Sequence, residues 1–341
     1  MSSKTVKTIG RRILEAVPTL VGIILVTFAL TRSLPGDPAV FFAGPAADET
    51  SIAEVRAAMG LDQPLPVQFG HYVTALAQGD WGISMNTGQP IVDELQRRLP
   101  ASLELTLLGL ALAMLIAIPL GVLAATQPNS WVDHLCRILV TAGVSMPVFF
   151  TGLLLIYVFY YLVGWAPAPT GRISFSVIPP ETITGMLLID SALAGNRAAF
   201  VDSARHLALP VMTLALFALA PIARMTRASM IGVLESDYIR TARASGLASS
   251  TILFRYALRH ALLSVLTTLG MVFSFLLGAN VLVEQVFSWP GIGSFAVDAL
   301  VASDYAAIQG FVLAMAILFV SLNLLIDVLY TVVDPRAGDA R

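Results

Sequence analysis

Six apolar runs, each close to the length of a membrane span, constrain the fold more than any other feature of this sequence. They cover about residues 13–34, 102–126, 135–163, 207–223, 262–287 and 308–333. A helix rises about 1.5 Å per residue, so about 20 apolar residues cross the ~30 Å hydrocarbon core of a bilayer. Charged residues make up 12% of the chain, about half the share in an average soluble domain. The sequence therefore predicts an all-α integral membrane protein with six transmembrane helices.

The first run follows four basic residues, Lys4, Lys7, Arg11 and Arg12. A cleavable signal peptide is the alternative, but the run is longer than the usual ~7–15 residues and no small-residue cleavage site follows. We therefore assign residues 1–34 to a cytoplasmic N-terminus and the first transmembrane helix.

Most of the runs contain a proline, and the short fourth run contains two, Pro210 and Pro221. A proline is tolerated in a span where neighbouring helices satisfy the carbonyl that it frees. The prolines therefore predict a packed bundle, residues 101–333, rather than isolated anchors. Residues 35–100 are the only long polar stretch, and we expect them to form a small extracytoplasmic subdomain between the first two helices.

The basic residues give the orientation. Six arginines lie between the fourth and fifth runs, namely Arg224, Arg227, Arg240, Arg243, Arg255 and Arg259. Each would cost roughly 2.5–3.5 kcal/mol at the bilayer centre, and basic residues concentrate on the cytoplasmic side. This pattern places the loop 224–261, both termini and the tail 334–341 in the cytoplasm.

Within this loop the pattern is helix, break, helix. Asp237 is placed to cap a helix from Tyr238 to Ser245, Gly246 to end it, and Ser249 or Ser250 to cap the next helix. An isolated helix of eight residues is marginal in water, so it needs support from its own chain or a partner. Two interpretations stay open: a helix that docks into a groove of a partner, or a basic loop that only sets topology.

This stretch resembles the cytoplasmic EAA loop of ABC-transporter permeases, in the form found in the dipeptide, oligopeptide and nickel importer family. The resemblance rests on the sequence YIRTARASGL followed by ALRHALL, although Arg240 and Arg259 replace the Glu and Pro of the general pattern. Further similar stretches are SLPGDPA, GDWGISMNTGQPIVDELQRRLPASLELTL, the loop between the third and fourth runs, EQVFSWPGIGSFAVDALVASDY and NLLIDVLYTVVDPRAG. Together they cover most of the chain.

The resemblance implies a type I ABC importer permease fold in the bacterial inner membrane. It also implies a heterodimer with a second homologous permease, two ATP-binding cassette subunits and a soluble substrate-binding protein. We expect membrane lipid as a further partner of the apolar spans. It favours contact of the polar subdomain with the substrate-binding protein over a role as a packing cap. The implied mechanism is alternating access, with dipeptides, oligopeptides, nickel chelates and other small solutes all open as cargo. The residues implied to contact the ATPase are Asp237, Tyr238, Arg240, Thr241, Ala242, Arg243, Ser245 and Gly246.

The chain lacks a phosphate-binding Walker loop, because neither of its two lysines, Lys4 and Lys7, follows a glycine. We therefore expect a transporter subunit that is not itself an enzyme, with ATP and magnesium bound by its partners and no cofactor of its own. One cysteine, Cys136, excludes an internal disulfide and a cysteine-based metal site. The scattered histidines indicate no metal site, and the net charge of -2 indicates no nucleic-acid partner.

Polar residues near the span ends are the remaining functional candidates. Glu284, Trp289 and Asp327 are possible pathway or outer-gate residues; Glu284, like Glu104, could instead be interfacial, and Asp327 could bond within the bundle. We expect Trp289 and Tyr305 at the membrane interface. Gly291 and Gly293 do not form a nucleotide fingerprint, because no predicted strand precedes them.

Two other classes of protein remain. A secondary transporter would show repeated spans and intramembrane charges for ion coupling, whereas the charge cluster here lies outside the membrane. A structural or assembly protein would not need a short docking helix.

Overall fold

The computed structural model describes residues 3–33, 38–44 and 46–333. Over these ranges the chain is mostly helical and contains no β-strand, apart from one isolated bridge between Ile83 and Pro90. The prediction of an all-α protein is confirmed for this part of the chain. The predicted tail, 334–341, lies outside the described residues.

The helices range from three to 38 residues in length. In chain order they are α1 (Ser3–Ser33), α2 (Pro38–Ala43), α3 (Glu49–Ala58), α4 (Leu65–Ala77), α5 (Ile91–Thr126), α6 (Trp131–Ser145), α7 (Val148–Leu155), α8 (Leu187–Leu193), α9 (Arg197–Leu234), α10 (Asp237–Ala244), α11 (Ser249–Thr251), α12 (Arg259–Val286), α13 (Ile292–Val301) and α14 (Tyr305–Val333). Two π-helical segments, Ile156–Leu162 and Ile252–Leu258, follow α7 and α11.

Four helices within the described ranges are long and apolar enough to cross a membrane. They are Ile91–Thr126, Arg197–Leu234, Ser249–Val286 and Tyr305–Ile326, at the predicted second, fourth, fifth and sixth spans. Shorter apolar helices occur at Val17–Ser33, Val148–Leu162 and Ile292–Val301. The first of these lies at the predicted first span.

The third predicted span is not one continuous helix. α6 ends at Ser145, Met146 is extended (φ −105°, ψ 132°), and Pro147 precedes α7. The physical reason is the proline, whose ring disfavours helical backbone at the preceding residue. The third predicted span, 135–163, is therefore divided between two helices, and its crossing of the membrane stays a prediction.

The chain divides into two units, and the larger comprises Pro100–Ser294 together with the described residues from Leu322 onward. Helix α9 runs through its core as 38 continuous residues, although it contains Pro210 and Pro221. Small side chains allow its neighbours to approach closely: a Cβ on Gly109 of α5 would lie 2.8 Å from Cβ of Leu214. The fourth span is thus the central helix of this unit.

The smaller unit comprises the residues up to Leu99 together with Phe295–Ser321. Phe28 of α1 stacks against Tyr72 of α4, with ring centroids 5.8 Å apart. Asp304 is fully buried and accepts hydrogen bonds from the Ser84 hydroxyl (2.6 Å) and the Asn86 amide (3.1 Å). The polar stretch is thereby tied to the start of α14.

The polar stretch 35–100 contains α3 and α4, which have no buried residues. Asp48 caps α3 by accepting a hydrogen bond from the Ser51 amide (3.0 Å), and bonds from Ser51 and Thr50 lower the pKa of Asp48 to about 2. The predicted boundary at residue 100 falls within α5, which continues from this stretch into the second span. Its extracytoplasmic location stays a prediction.

Candidate functional site

The short helix predicted in the arginine-rich loop is present as α10, Asp237–Ala244. At its end Gly246 has φ +75°, and two hydrogen bonds close the turn. The Gly246 amide donates to the Arg243 carbonyl (3.0 Å), and the Leu247 amide donates to the Ala242 carbonyl (3.3 Å). This is a Schellman motif, in which the left-handed residue is usually glycine. The prediction that Gly246 ends this helix is confirmed.

The predicted N-terminal caps, Asp237 and then Ser249 or Ser250, are wrong by one or two residues. Ser236, rather than Asp237, is the N-cap of α10, and its hydroxyl bonds back to the Val233 carbonyl (2.5 Å). Ala248 precedes α11, so that Ser249 is its first helical residue. A serine or aspartate at the first helical position gives nearly the same sequence pattern as one at the cap, so pattern alone could not separate them.

Helix α10 is held by its own chain along one side. Ile239 is fully buried and Ala242 is 8% exposed. Both belong to an apolar cluster with Met230 of α9, Ile252 of the π-helical segment and Ala261 of α12. The support that the short helix was predicted to need thus comes from its own chain.

Ala242 therefore differs from the other residues predicted to contact a partner, because it packs inside the chain. The remaining seven are exposed: Asp237, Tyr238, Arg240, Thr241, Arg243, Ser245 and Gly246. We call these seven the α10 exposed face.

Local contacts fix part of this face. The Tyr238 ring lies 5.2 Å from the His260 ring, and Arg240 pairs with Asp237 at 3.3 Å in full contact with solvent. The Thr241 hydroxyl donates to the Asp237 carbonyl (3.0 Å). The face thus presents an aromatic ring, two guanidinium groups and small side chains on a preformed helix.

A buried ion pair near this helix was missed by the sequence analysis. Asp133, in the first turn of α6, is fully buried. Arg227 of α9 donates to it from Nε (2.6 Å) and Nη2 (3.0 Å), and Arg137 from Nη2 (2.7 Å). The hydrogen bond from Arg227 holds the pKa of Asp133 well below its usual range. The spacing of Asp133 and Arg137 was visible as an i,i+4 pair, but no local pattern points to Arg227, 94 residues away.

At the other end of the larger unit, Glu284 is the centre of a second polar cluster. Its side chain is fully buried. Oε1 accepts hydrogen bonds from the Ser102 hydroxyl (2.5 Å) and the Asn280 amide (2.8 Å), and Oε2 accepts one from the Ser294 backbone amide (2.8 Å). The structure thus places Glu284 within the bundle, instead of on an interfacial surface.

Trp289 and Tyr305, which we expected at the membrane interface, are only 1% and 7% exposed. The Trp289 indole donates from Nε1 to the Ala101 carbonyl (3.1 Å), because a buried Trp N–H needs a partner. The predicted Glu104 is 3% exposed and binds Arg172 (2.7 Å) and the Leu188 amide (2.7 Å). The side chain of Asp327 lies outside the described residues, so its predicted pathway role stays a prediction.

Comparison with known proteins gives the family. A family model described as a binding-protein-dependent transport system inner membrane component matches residues 117–339. The model for the N-terminal part of such membrane components matches residues 5–106. The chain belongs to this family. It is therefore a permease component of a transport system, as the loop and signature stretches indicated.

Similar curated proteins match over almost their full length. The probable D,D-dipeptide transport system permease protein DdpB of Escherichia coli (strain K12) is 44% identical over 317 residues, 93% of each chain. The di/tripeptide transport system permease protein DppB of Pseudomonas aeruginosa is 42% identical over 334 residues, 98% of this chain and 99% of its own. The glutathione transport system permease protein GsiC of E. coli (strain K12) is 38% identical over 325 residues, 95% and 96% respectively.

Among solved structures, the chain is similar to one from the MetNI methionine ABC transporter in inward facing conformations. The match has a TM-score of 0.52 and 17% identity, and covers 71% of this chain and 96% of the other. At this identity the match supports the fold, a type I ABC importer permease fold, and nothing about cargo.

Proposed function

We propose that this permease carries peptides across the bacterial inner membrane as one of two membrane-spanning subunits of an ATP-driven importer. Relatives that match over more than nine-tenths of the chain are named as D,D-dipeptide, di/tripeptide and glutathione permeases. These cargoes are all short chains of amide-linked amino acids, so a short peptide is the substrate class they support. The proposed permease pair is a heterodimer, and the masses of the subunits in the purified complex distinguish it from a homodimer.

The observation that carries the coupling role is the two-sided environment of α10. Ile239 fixes the helix to its own chain, while Tyr238, Arg240 and Arg243 remain exposed. A short helix held from one side offers a rigid surface, so a partner loses little of its binding energy to ordering the helix. We assign the α10 exposed face as the docking surface for the ATP-binding subunit, which would also hold the ATP and magnesium.

We further propose six membrane crossings with both termini in the cytoplasm. The first crossing would use α1, and the third would use α6, α7 and the π-helical segment Ile156–Leu162 around the break at Pro147. A crossing can tolerate such a break where neighbouring helices satisfy the freed backbone groups. The arginines of the loop 224–261 support the cytoplasmic placement of α10. The extracytoplasmic face would meet the substrate-binding protein.

Reconstitution tests the proposal. The chain is purified with its co-expressed partners, placed in proteoliposomes, and assayed for uptake of a labelled dipeptide with ATP inside and substrate-binding protein outside. Arg243→Glu reverses an exposed charge on α10. If the ATPase presents acidic groups to Arg243, as we propose, the change puts like charges opposite each other and should weaken docking about tenfold or more. Arg197→Glu makes the same change at the exposed first residue of α9 and is expected to leave docking unchanged.

Two results would contradict the proposal. Equal docking and uptake in Arg243→Glu and wild type would remove the α10 exposed face from the coupling role. Uptake in ATP-free vesicles driven by an ion gradient, by a chain that purifies alone, would instead show a secondary transporter. Mass spectrometry of the purified complex identifies the second permease and the ATPases.

A further inference from the structure

The first turn of α13 is capped by side chains of two other helices. The Ile292 amide donates to Ser102 Oγ of α5 (2.8 Å), and the Ser294 amide donates to Glu284 Oε2 of α12 (2.8 Å). The first amides of a helix have no partners within it, and a carboxylate near them also interacts favourably with the helix dipole. Such caps normally come from the residues just before the helix. Here they come from residues 10 and 190 positions away in sequence.

The segment that these caps hold lies inside the unit. Trp289 and Ile292 are 1% and 3% exposed, and the Trp289 indole bonds to the Ala101 carbonyl of α5. Pro290 is the exposed residue within the segment. We call residues 289–294 the outer plug.

The two glycines of the outer plug are explained by the same carboxylate. A Cβ on Gly291 would overlap the Glu284 carboxyl group, which supplies its three nearest atoms. A Cβ on Gly293 would lie 2.9 Å from Glu284 Oε2 and also 2.7 Å from the Val281 Cα atom. Glycine at both positions therefore lets the backbone approach Glu284 closely enough to be capped.

We propose that Glu284 and Ser102 act as a latch that holds the outer plug in place and keeps the extracytoplasmic end of the permease closed in the resting state. The proposal rests on the topology and ATP-driven import proposed above. It makes Glu284 a positioning residue, because it acts through the backbone of the plug and does not itself contact cargo. An open state would expose the latch residues to water, so weakening the latch destabilises the closed state selectively and shifts the population toward the open one.

The expected signature is a gain of activity. A closed resting permease should hydrolyse ATP slowly until the substrate-binding protein arrives. Glu284→Gln keeps the size of the side chain but has one acceptor oxygen in place of two. It therefore cannot accept from the Ser294 amide and also from the Ser102 and Asn280 donors. Leaving a buried donor without an acceptor is expected to raise basal ATP hydrolysis of the assembled complex about tenfold, and to reduce stimulation by the binding protein.

A double-mutant cycle separates the latch from a general packing defect. Gly291→Ala alone is expected to raise the basal rate about tenfold, because its methyl group displaces the carboxylate. In a Glu284→Ala background the methyl group meets an empty space, so the same change is expected to alter the rate by less than about twofold. Gly293→Ala is the matched control: its methyl group also meets the Val281 backbone, so its effect should persist in both backgrounds.

The measurements are made on complexes normalised for ATPase content, which removes differences in assembly. The latch is refuted if assembled Glu284→Gln and Gly291→Ala complexes keep the wild-type basal rate, or if Gly291→Ala has the same effect with and without Glu284. Basal rates that fall together with uptake would assign Glu284 to folding alone and also refute it. A wild-type complex without ATP-dependent peptide uptake would instead overturn the proposed function, which the wild-type control reveals separately.

Discussion

Replacing Arg227 is expected to destabilise the permease far more than replacing Arg137, although both donate to the same carboxylate. Asp133 is fully buried, whereas the side chains of Arg227 and Arg137 are 28% and 52% exposed. Arg227 makes two short bonds to Asp133, at 2.6 and 3.0 Å, and joins α6 to α9. Arg137 makes one bond within α6 itself. Substituting each arginine in turn therefore compares two contacts to the same carboxylate.

The magnitudes follow from burial. Removing one partner of a buried ion pair costs about 3–5 kcal/mol, because the other charge stays buried without compensation. Here Arg137 and the Asn129 amide (3.0 Å) still bond to Asp133, so we expect Arg227→Met to cost about 3 kcal/mol, the lower end of that range. Arg137 is half-exposed, and without it Asp133 keeps both bonds from Arg227. Arg137→Met should therefore cost less than about 1 kcal/mol, as for a surface pair.

The assay is thermal unfolding of the detergent-solubilised protein, followed by fluorescence-detected size exclusion. With about 2–4 °C per kcal/mol for a domain of 150–250 residues, Arg227→Met should lower the midpoint by roughly 6–12 °C, and Arg137→Met by no more than about 4 °C. Replacing both Asp133 and Arg227 with apolar residues should recover part of the loss, since no buried charge remains. Equal decreases in the midpoint for the two single arginine variants would show that Arg227, which joins α9 to α6, contributes no more stability than Arg137.

Three further predictions concern the same region. The pKa of Asp133 is lowered by folding, so its contribution is fully present above the unfolded value of about 3.9 and is lost as pH falls through the lower folded value. The difference in unfolding midpoint between wild type and Asp133→Asn, measured from pH 7 downward, should therefore shrink only below about pH 4. Gly246→Ala forces a side chain into left-handed backbone at a cost of about 1–2 kcal/mol, and hydrogen exchange of the Gly246 and Leu247 amides should become faster. Ile239→Ala removes a fully buried side chain worth about 2–5 kcal/mol; ATPase docking should weaken and recover at higher ATPase concentration.

The long apolar helices could be predicted from sequence because a bilayer imposes both length and composition on them. The second, fourth, fifth and sixth spans were found in this way, including α9 despite Pro210 and Pro221. Pro147, at the break between α6 and α7, also lies within an apolar run, as Pro210 and Pro221 do. What separates them is the conformation of the preceding residue, extended at Met146 and helical at Leu209 and Ala220. That choice depends on how neighbouring helices satisfy the backbone, which a single sequence does not contain.

The candidate functional residues also divide into those that local sequence predicts and those that only the folded chain brings together. Gly246 was predictable because a left-handed helix end has a local chemical requirement. Which residues of α10 are buried was harder to predict. In the sequence Ala242 resembles any small residue suited to a docking surface, and only the structure shows that it packs in a cluster with Met230 and Ile252. Asp133 with Arg227, and Glu284 with Ser102, join positions far apart in the chain. Their pairing is a property of the folded bundle.

The burial of Ala242 also determines how coupling can be tested. A charge placed at this position would disrupt the cluster that contains Ile239 and Met230, so loss of ATPase docking in such a variant would report on the stability of α10 rather than on contact. Gly246→Arg has the same weakness, because φ of +75° disfavours any side chain. A change at Arg243 alters the exposed face and leaves the buried cluster and the Schellman turn intact. Hydrogen exchange separates the two contributions. The Gly246 and Leu247 amides should exchange faster in Ile239→Ala, where α10 itself is less populated, and at the wild-type rate in Arg243→Glu, although ATPase docking weakens in both variants.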